Sequence, residues 1–319
     1  LTRRALLAGF ASAAAVACSR RESPPAAPPA AAPAPLPPLD PVVDAAPLRG
    51  ETRVTTWTLP ERGASGEAVV VLPADELDGG ASRWPLVVLL HGRGEALKSP
   101  KDGALGWVHD YALTRQIARV NNPPLGPDDV EGFVDPERLA LYNRQLEERP
   151  FQGLAILCPY LPDINLRSHA DLADYARYVA EVLVPRARRE LPVFGAREST
   201  GIDGVSLGGA TALRVGFGRS ETFGAVGGLQ PAVSDDQTQE WVELARAARA
   251  KRPDLKLRLT TSHDDVYHDV IRRLSAALLA AGVAHDYADI VGPHDYPFNR
   301  GPGAIEVLLW HDRVLARSA

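Results

Sequence analysis

From Ile202 to Ala212 the chain reads Ile-Asp-Gly-Val-Ser-Leu-Gly-Gly-Ala-Thr-Ala, and its centre, Gly204-Val205-Ser206-Leu207-Gly208, restricts the backbone severely. A short apolar piece runs into G-x-S-x-G, and a small-residue helix start follows. That order marks a strand-to-helix turn so sharp that the serine is strained and only glycines fit two residues to either side. The serine Oγ then stands clear at the C-terminal edge of a sheet. Behind it, the first-turn N–H groups of the helix face the place where negative charge would develop. The same five residues could make a glycine-rich packing turn with no chemistry, so the rest of the chain has to supply the context.

That context is alternation. Arg53–Leu59 and Gly66–Leu72 alternate polar and apolar residues, as early, partly exposed strands do. Pro85–Leu90 and Phe151–Cys158 are unbroken apolar runs, as parallel strands covered on both faces require. Asp171–Leu191 carries helical spacing through Leu172, Tyr175, Tyr178, Val179, Val182 and Leu183. Phe223–Gly228, Leu255–Thr261 and Ala284–Val291 read as strands, and Trp241–Ala250, Val270–Ala281 and Ala304–Ala316 as helices. Strand and helix in turn predict an α/β domain over residues 50–319, with a mostly parallel central sheet and helices on both faces. The pattern breaks at about 96–150, where two loop-like clusters bracket a charged segment. So long an irregular stretch is expected to be an insertion forming a small cap beside the catalytic edge. Trp107, Tyr111 and Phe133 are candidates for its apolar wall or for a minor core of its own.

A serine nucleophile needs a base, a group that orients the base, and donors for an oxyanion. The run Pro85–Leu90 ends in His91-Gly92-Arg93-Gly94, at the turn where the second oxyanion donor belongs. By position, the backbone N–H groups of Arg93 and Leu207 would be the two donors, and His91 would pin the loop rather than move a proton. After Leu255–Thr261 come Ser262-His263-Asp264-Asp265-Val266-Tyr267-His268-Asp269. Asp264 and Asp265 both sit at a strand's C-terminal edge, and either could serve as the third member or cap the following helix. The spacing of these His and Asp residues matches no strong metal motif, so no metal site and no cofactor is expected. After the last strand, Val291-Gly292-Pro293-His294-Asp295 places His294 in a short turn from which an imidazole can reach Ser206. Among the other histidines, His285 falls on a strand, His311 in a helix, and His109 and His268 on or near helices.

From about Glu67 to His311 the chain resembles the esterase branch of the α/β hydrolases, which holds esterase D-like, enterochelin esterase-like and feruloyl esterase-like enzymes. The resemblance lies in Val71-Leu72-Pro73, Pro85-Leu-Val-Val-Leu-Leu-His-Gly92, Gly204-Val-Ser-Leu-Gly-Gly209, Ala276–Gly282 and Gly292-Pro-His-Asp295. It implies an α/β-hydrolase fold and cleavage of a small-molecule carboxylic ester through an acyl-enzyme. Ser206, Asp265 and His294 would form the triad; counting back from Gly282, the family's acid falls on Asp265. Leu207 stands where Met is commoner, which matters little because only its backbone would act. The 96–150 insertion has no placeable counterpart, so substrate preference does not carry over. Two other readings use the same scaffold: a non-catalytic envelope binding protein, or an acyltransferase with the same triad.

The N-terminus reads differently. Arg3-Arg4 followed by an apolar run to Ala17 is too short to span a bilayer and predicts an export signal over 1–17. Thr2-Arg3-Arg4-Ala5-Leu6-Leu7 resembles a twin-arginine signal. Ala15-Val16-Ala17-Cys18 resembles a lipoprotein cleavage box that would attach the protein to a membrane through lipidated Cys18. Residues 18–49 form a Pro/Ala-rich tether that favours extended polyproline conformations. The expected location is the cell envelope or outside the cell. A net charge of −5 gives no basic surplus for a nucleic-acid partner. Cys158 is the only cysteine beyond Cys18, so no disulfide is expected within the domain.

Overall fold

The computed structural model describes residues 50–60, 66–74 and 82–318. The expected export signal, Cys18 and the tether lie outside these residues. The eight strands are β1 (Thr52–Thr58), β2 (Glu67–Pro73), β3 (Leu86–Leu90), β4 (Ala155–Pro159), β5 (Thr200–Gly204), β6 (Ala225–Leu229), β7 (Lys256–Asp264) and β8 (Asp286–Pro293). They form one sheet in the order β1-β2-β4-β3-β5-β6-β7-β8. β2 is antiparallel to both β1 and β4. Every pairing from β4 through β3 to β8 is parallel.

Side chains alternate across a strand, so one strand feeds two cores. In β3, Leu86, Val88 and Leu90 enter one core while Val87 and Leu89 enter the other. In β2, Ala68, Val70 and Leu72 go to the first and Val69 and Val71 to the second. β2 is therefore buried along its length rather than partly exposed as expected; of the two, only β1, at the sheet's rim, faces solvent. The first core is closed by the helical stretch from His169 to Glu190 and by the helices Leu207–Gly218, Thr238–Lys251 and His268–Ala280. The second is closed by the C-terminal helix Ala304–Val314 and by the segment that sequence reading set apart as a cap.

That segment is the main departure from expectation. It folds into short helices, chiefly Leu113–Asn121 and Pro136–Glu148, between β3 and β4. Trp107, Tyr111, Leu113, Ile117, Tyr142 and Leu146 are buried with Val69, Val87 and Ile156 of the sheet. Phe133 packs half-buried against the same cluster. There is no separate minor core: the segment is the helical layer over one face of β2, β4 and β3, without which that face would meet water. Each large side chain it buries contributes about 1.5–3 kcal/mol. His285 also moves, ending just before β8 instead of on it.

Candidate active site

β5 runs into the helix Leu207–Gly218 with no spacer but Val205 and Ser206. Ser206 sits at φ 57°, ψ −117°, a region that costs a side-chain-bearing residue of order 1–3 kcal/mol. The surroundings force it there. The Ser206 N–H donates to the Leu229 carbonyl (3.0 Å), and the Ser206 carbonyl accepts from Ala210 (3.0 Å) and Ala232 (2.9 Å). A Cβ on Gly204 would lie 2.5 Å from the Gly208 carbonyl, and one on Gly208 would collide with the carbonyls of Leu90 and His91. Neither position admits any residue but glycine without moving the helix Leu207–Gly218 away from the ends of β5 and β3.

At the same edge, β7 and β8 deliver an acid and an imidazole. His294 Nδ1 donates to Asp265 Oδ1 at 2.8 Å. Asp265 is buried and also accepts from the Tyr267 N–H (2.9 Å) and the Thr261 hydroxyl (3.1 Å). Asp264 is exposed and does not make this contact. The Tyr267 ring meets the His294 ring edge-on at 5.5 Å. Gln230 reaches from the end of β6 to the Ser262 hydroxyl (2.5 Å) and the Pro293 carbonyl (3.0 Å), tying the three strand ends together. Ser206 and His294 line one pocket of about 190 Å³, together with Gly92–Glu95, Tyr111, Tyr296 and Asn299. The Ser206 hydroxyl makes no hydrogen bond among the described residues, as is common at such sites before substrate binds. A second, larger cleft of about 460 Å³ also reaches Ser206, lined by Arg93, Asp163–Arg167, Leu207, Ala232 and Tyr267.

The loop after β3 supplies donors. Arg93 and Leu207 each occupy the first position of a helix, where the backbone N–H has no acceptor within the helix. The Arg93 guanidinium points elsewhere, onto both oxygens of Asp163 (3.0 and 3.1 Å). His91 fixes the loop as expected: Nδ1 donates to the Gly92 carbonyl and Nε2 accepts from the Leu161 N–H, both at 2.9 Å. Burial lowers its pKa, so it stays neutral.

Sequence reading missed Glu95. Its carboxylate is buried and accepts from two tyrosine hydroxyls, Tyr111 and Tyr296, the latter at 2.7 Å. Tyr111 in turn accepts the Gly92 N–H at 3.0 Å. Glu95 thus joins the donor loop both to the β3–β4 helical layer and to the loop that carries His294. Burial first, and then the Glu95 charge, push both tyrosines above their ordinary pKa, so each is a neutral donor. No periodic pattern marks Glu95, Tyr296 or Asn299; their one signal is proximity in sequence to His91-Gly92 and to His294. Among the described residues no three His, Cys, Asp or Glu side chains are placed to hold a metal ion.

No protein-family model matches the chain, and no curated protein matches it in sequence. Solved structures do. A ferulic acid esterase superposes with a TM-score of 0.61 at 17% identity, covering 84% of this chain and 100% of its own. The feruloyl esterase module from Clostridium thermocellum, complexed with sinapinate, gives 0.59 at 13% identity over 86% and 93%. S-formylglutathione hydrolase (FrmB) from Staphylococcus aureus gives 0.55 at 15% identity over 82% and 96%. These structural neighbours are esterases, and what the chain shares with them at such identities is the α/β-hydrolase fold.

Proposed function

We propose that the protein is a serine esterase that cleaves carboxylic esters through an acyl-enzyme. The observation that carries this reading is the strained Ser206 sharing one pocket with a His294 whose far nitrogen is held by a buried carboxylate. His294 Nε2 takes the Ser206 proton as Oγ attacks the ester carbonyl. Asp265 fixes the Nδ1–H tautomer and stabilises the imidazolium that forms. The Arg93 and Leu207 N–H groups receive the oxyanion, a role worth about 3 kcal/mol per donor. Collapse expels the alcohol, which takes the proton from His294. Water then enters by the same route in reverse and releases the carboxylic acid.

Ser206→Ala should reduce hydrolysis of short p-nitrophenyl esters to background and abolish labelling by a fluorophosphonate, with an unchanged circular dichroism spectrum. Retained turnover in a folded Ser206→Ala protein would place the nucleophile elsewhere.

A further inference from the structure

Two unfavourable features meet in Gln230, the residue that follows β6. Its backbone sits at φ 44°, in the left-handed region, where a side chain is strained and glycine is not. Pro231 comes next, and a residue before proline ordinarily takes an extended conformation. The side chain is wholly buried, and its Oε1 has no hydrogen-bond partner among the described residues. A buried acceptor left unpaired is destabilising. Turning the amide over does not help, because the atom facing the Pro293 carbonyl has to be a donor and is therefore the nitrogen. Glycine would make this turn without strain, and an aliphatic side chain would fill the space without an orphan acceptor. What the glutamine alone supplies is its NH2 group.

That group uses both of its hydrogens. One goes to the Ser262 hydroxyl at 2.5 Å and the other to the Pro293 carbonyl at 3.0 Å. The Pro293 carbonyl belongs to the peptide bond that leads into His294. Ser262 in turn accepts the Asp265 N–H through its own carbonyl at 3.1 Å. The backbone around Gln230 faces the nucleophile. The Ser206 N–H donates to the Leu229 carbonyl, which is part of the peptide bond entering Gln230, and the Ala232 N–H donates to the Ser206 carbonyl. The Gln230 N–H donates to the Thr260 carbonyl at 2.6 Å, beside the Thr261 whose hydroxyl reaches Asp265. One residue, fixed at both backbone and side chain, thus spans from the peptide that holds Ser206 to the peptide that holds His294. It lines neither the pocket nor the cleft, so it acts on an ester only through these neighbours.

We propose that Gln230 is a positioning residue: through its amide bond to the Pro293 carbonyl it sets the distance and aim of the His294 imidazole relative to the Ser206 hydroxyl. The proposal rests on Ser206 and His294 acting as nucleophile and base. Backbone strain is retained at such places because the surrounding structure over-determines an active-site geometry. A misplacement of about 1 Å between reacting groups lowers a rate on the order of 10²-fold, while the space that binds the ester is untouched.

Gln230→Met tests it. Methionine is unbranched and fills a similar space without an amide. Competent molecules are counted by fluorophosphonate titration run to completion, and turnover of p-nitrophenyl butyrate is expressed per titrated site. On that basis kcat should fall on the order of 10²-fold, with KM close to that of the wild type. Where Gln230→Met does not fold, Gln230→Asn takes its place: asparagine tolerates the left-handed backbone, and its amide is one methylene too short for Pro293. A wild-type kcat per site in a folded variant makes Gln230 a packing residue and overturns the proposal, even if fewer sites titrate. A rise in KM at constant kcat overturns it as well. Neither result touches the esterase reading. That reading fails on a separate outcome, a wild-type protein that hydrolyses no p-nitrophenyl ester and takes up no fluorophosphonate at Ser206, and the proposal then falls with it.

Discussion

Among the described residues, two histidines are held by buried aspartates with nearly equal geometry, and only one of the two faces a pocket. At the sheet edge, His294 Nδ1 lies 2.8 Å from Asp265. Beneath the sheet, His311 Nε2 lies 3.0 Å from Asp203. Their surroundings are opposite. Asp265 has only neutral companions besides the imidazole, a hydroxyl and a backbone N–H. Its charge is therefore free to stabilise an imidazolium, and the rest of the His294 ring lines a pocket. Asp203 is bonded at 2.8 Å to the Arg258 guanidinium, which is itself buried over the Trp310 ring. That cation neutralises the carboxylate and repels a second positive charge on His311. The other nitrogen of His311 packs against Gly201, so closely that a Cβ there would come within 2.6 Å, and it has no hydrogen-bond partner among the described residues. A carboxylate–imidazole contact is thus common to the proposed catalytic centre and to a structural clamp. A free face on the imidazole and an uncompensated charge on the acid separate the two.

The same substitution made in both pairs should give opposite readouts. Asp265→Asn removes the charge and lets His294 adopt the wrong tautomer, so kcat on p-nitrophenyl esters should fall by about 10⁴-fold with the melting temperature nearly unchanged. Asp264→Asn should leave kcat close to wild type; a large loss there would hand the acid's role to the exposed neighbour. Asp203→Asn should do the reverse. It leaves the Arg258 charge buried without a counter-ion, a change that costs roughly 3–5 kcal/mol, and the melting temperature should drop by on the order of 10 °C. The folded fraction should keep its turnover number. If Asp203→Asn instead lowers kcat as steeply as Asp265→Asn, the distinction between the pairs is wrong.

The sequence showed the elbow and most of the strands plainly because both rest on local rules. G-x-S-x-G encodes a steric demand that the Gly204 and Gly208 environments bear out, and β3 and β4, buried on both faces, are unbroken apolar runs. Asp264 and Asp265 could not be separated from residues alone, since both follow the same strand. The structure shows the reason. Pairing of β7 with β8 shifts register between Ser262 and Asp264, so strict alternation fails there. Asp265 then turns inward, its N–H bonded to the Ser262 carbonyl at 3.1 Å. The 96–150 region looked like an insertion because most of its helices are a few residues long and the longest, Pro136–Glu148, buries only Tyr142 and Leu146. No long period builds up in such pieces. Trp107 and Tyr142 belong to the core only through contact with strands distant in sequence. Glu95, Tyr296 and Asn299 have meaning only once the loops of β3 and β8 meet.

The pH dependence of stability gives the smallest and most diagnostic effect. Burial lowers the pKa of His311, and its bond to Asp203 offsets this only in part. His91 is likewise lowered, first of all by burial. In the unfolded chain both titrate near the ordinary value of about 6.5. Below that pH the unfolded state binds protons that the folded state refuses, so stability is full above about pH 6.5 and declines as the pH falls. Asp203 adds to the slope at lower pH. Burial would raise its pKa, but Arg258, His311 and the Gly204 N–H together hold it below the ordinary carboxylate value. Its contribution is present above about pH 3.8 and is lost below, as the unfolded chain takes up a proton there first. The urea midpoint should therefore be lower at pH 5.5 than at pH 7.5, and His311→Gln should flatten the difference by removing one of the two buried imidazoles. A midpoint equal or higher at pH 5.5 would mean that His311 is protonated within the fold. Arg258 would then not have neutralised Asp203, and the inner pair would no longer differ from the outer one in the way its burial implies.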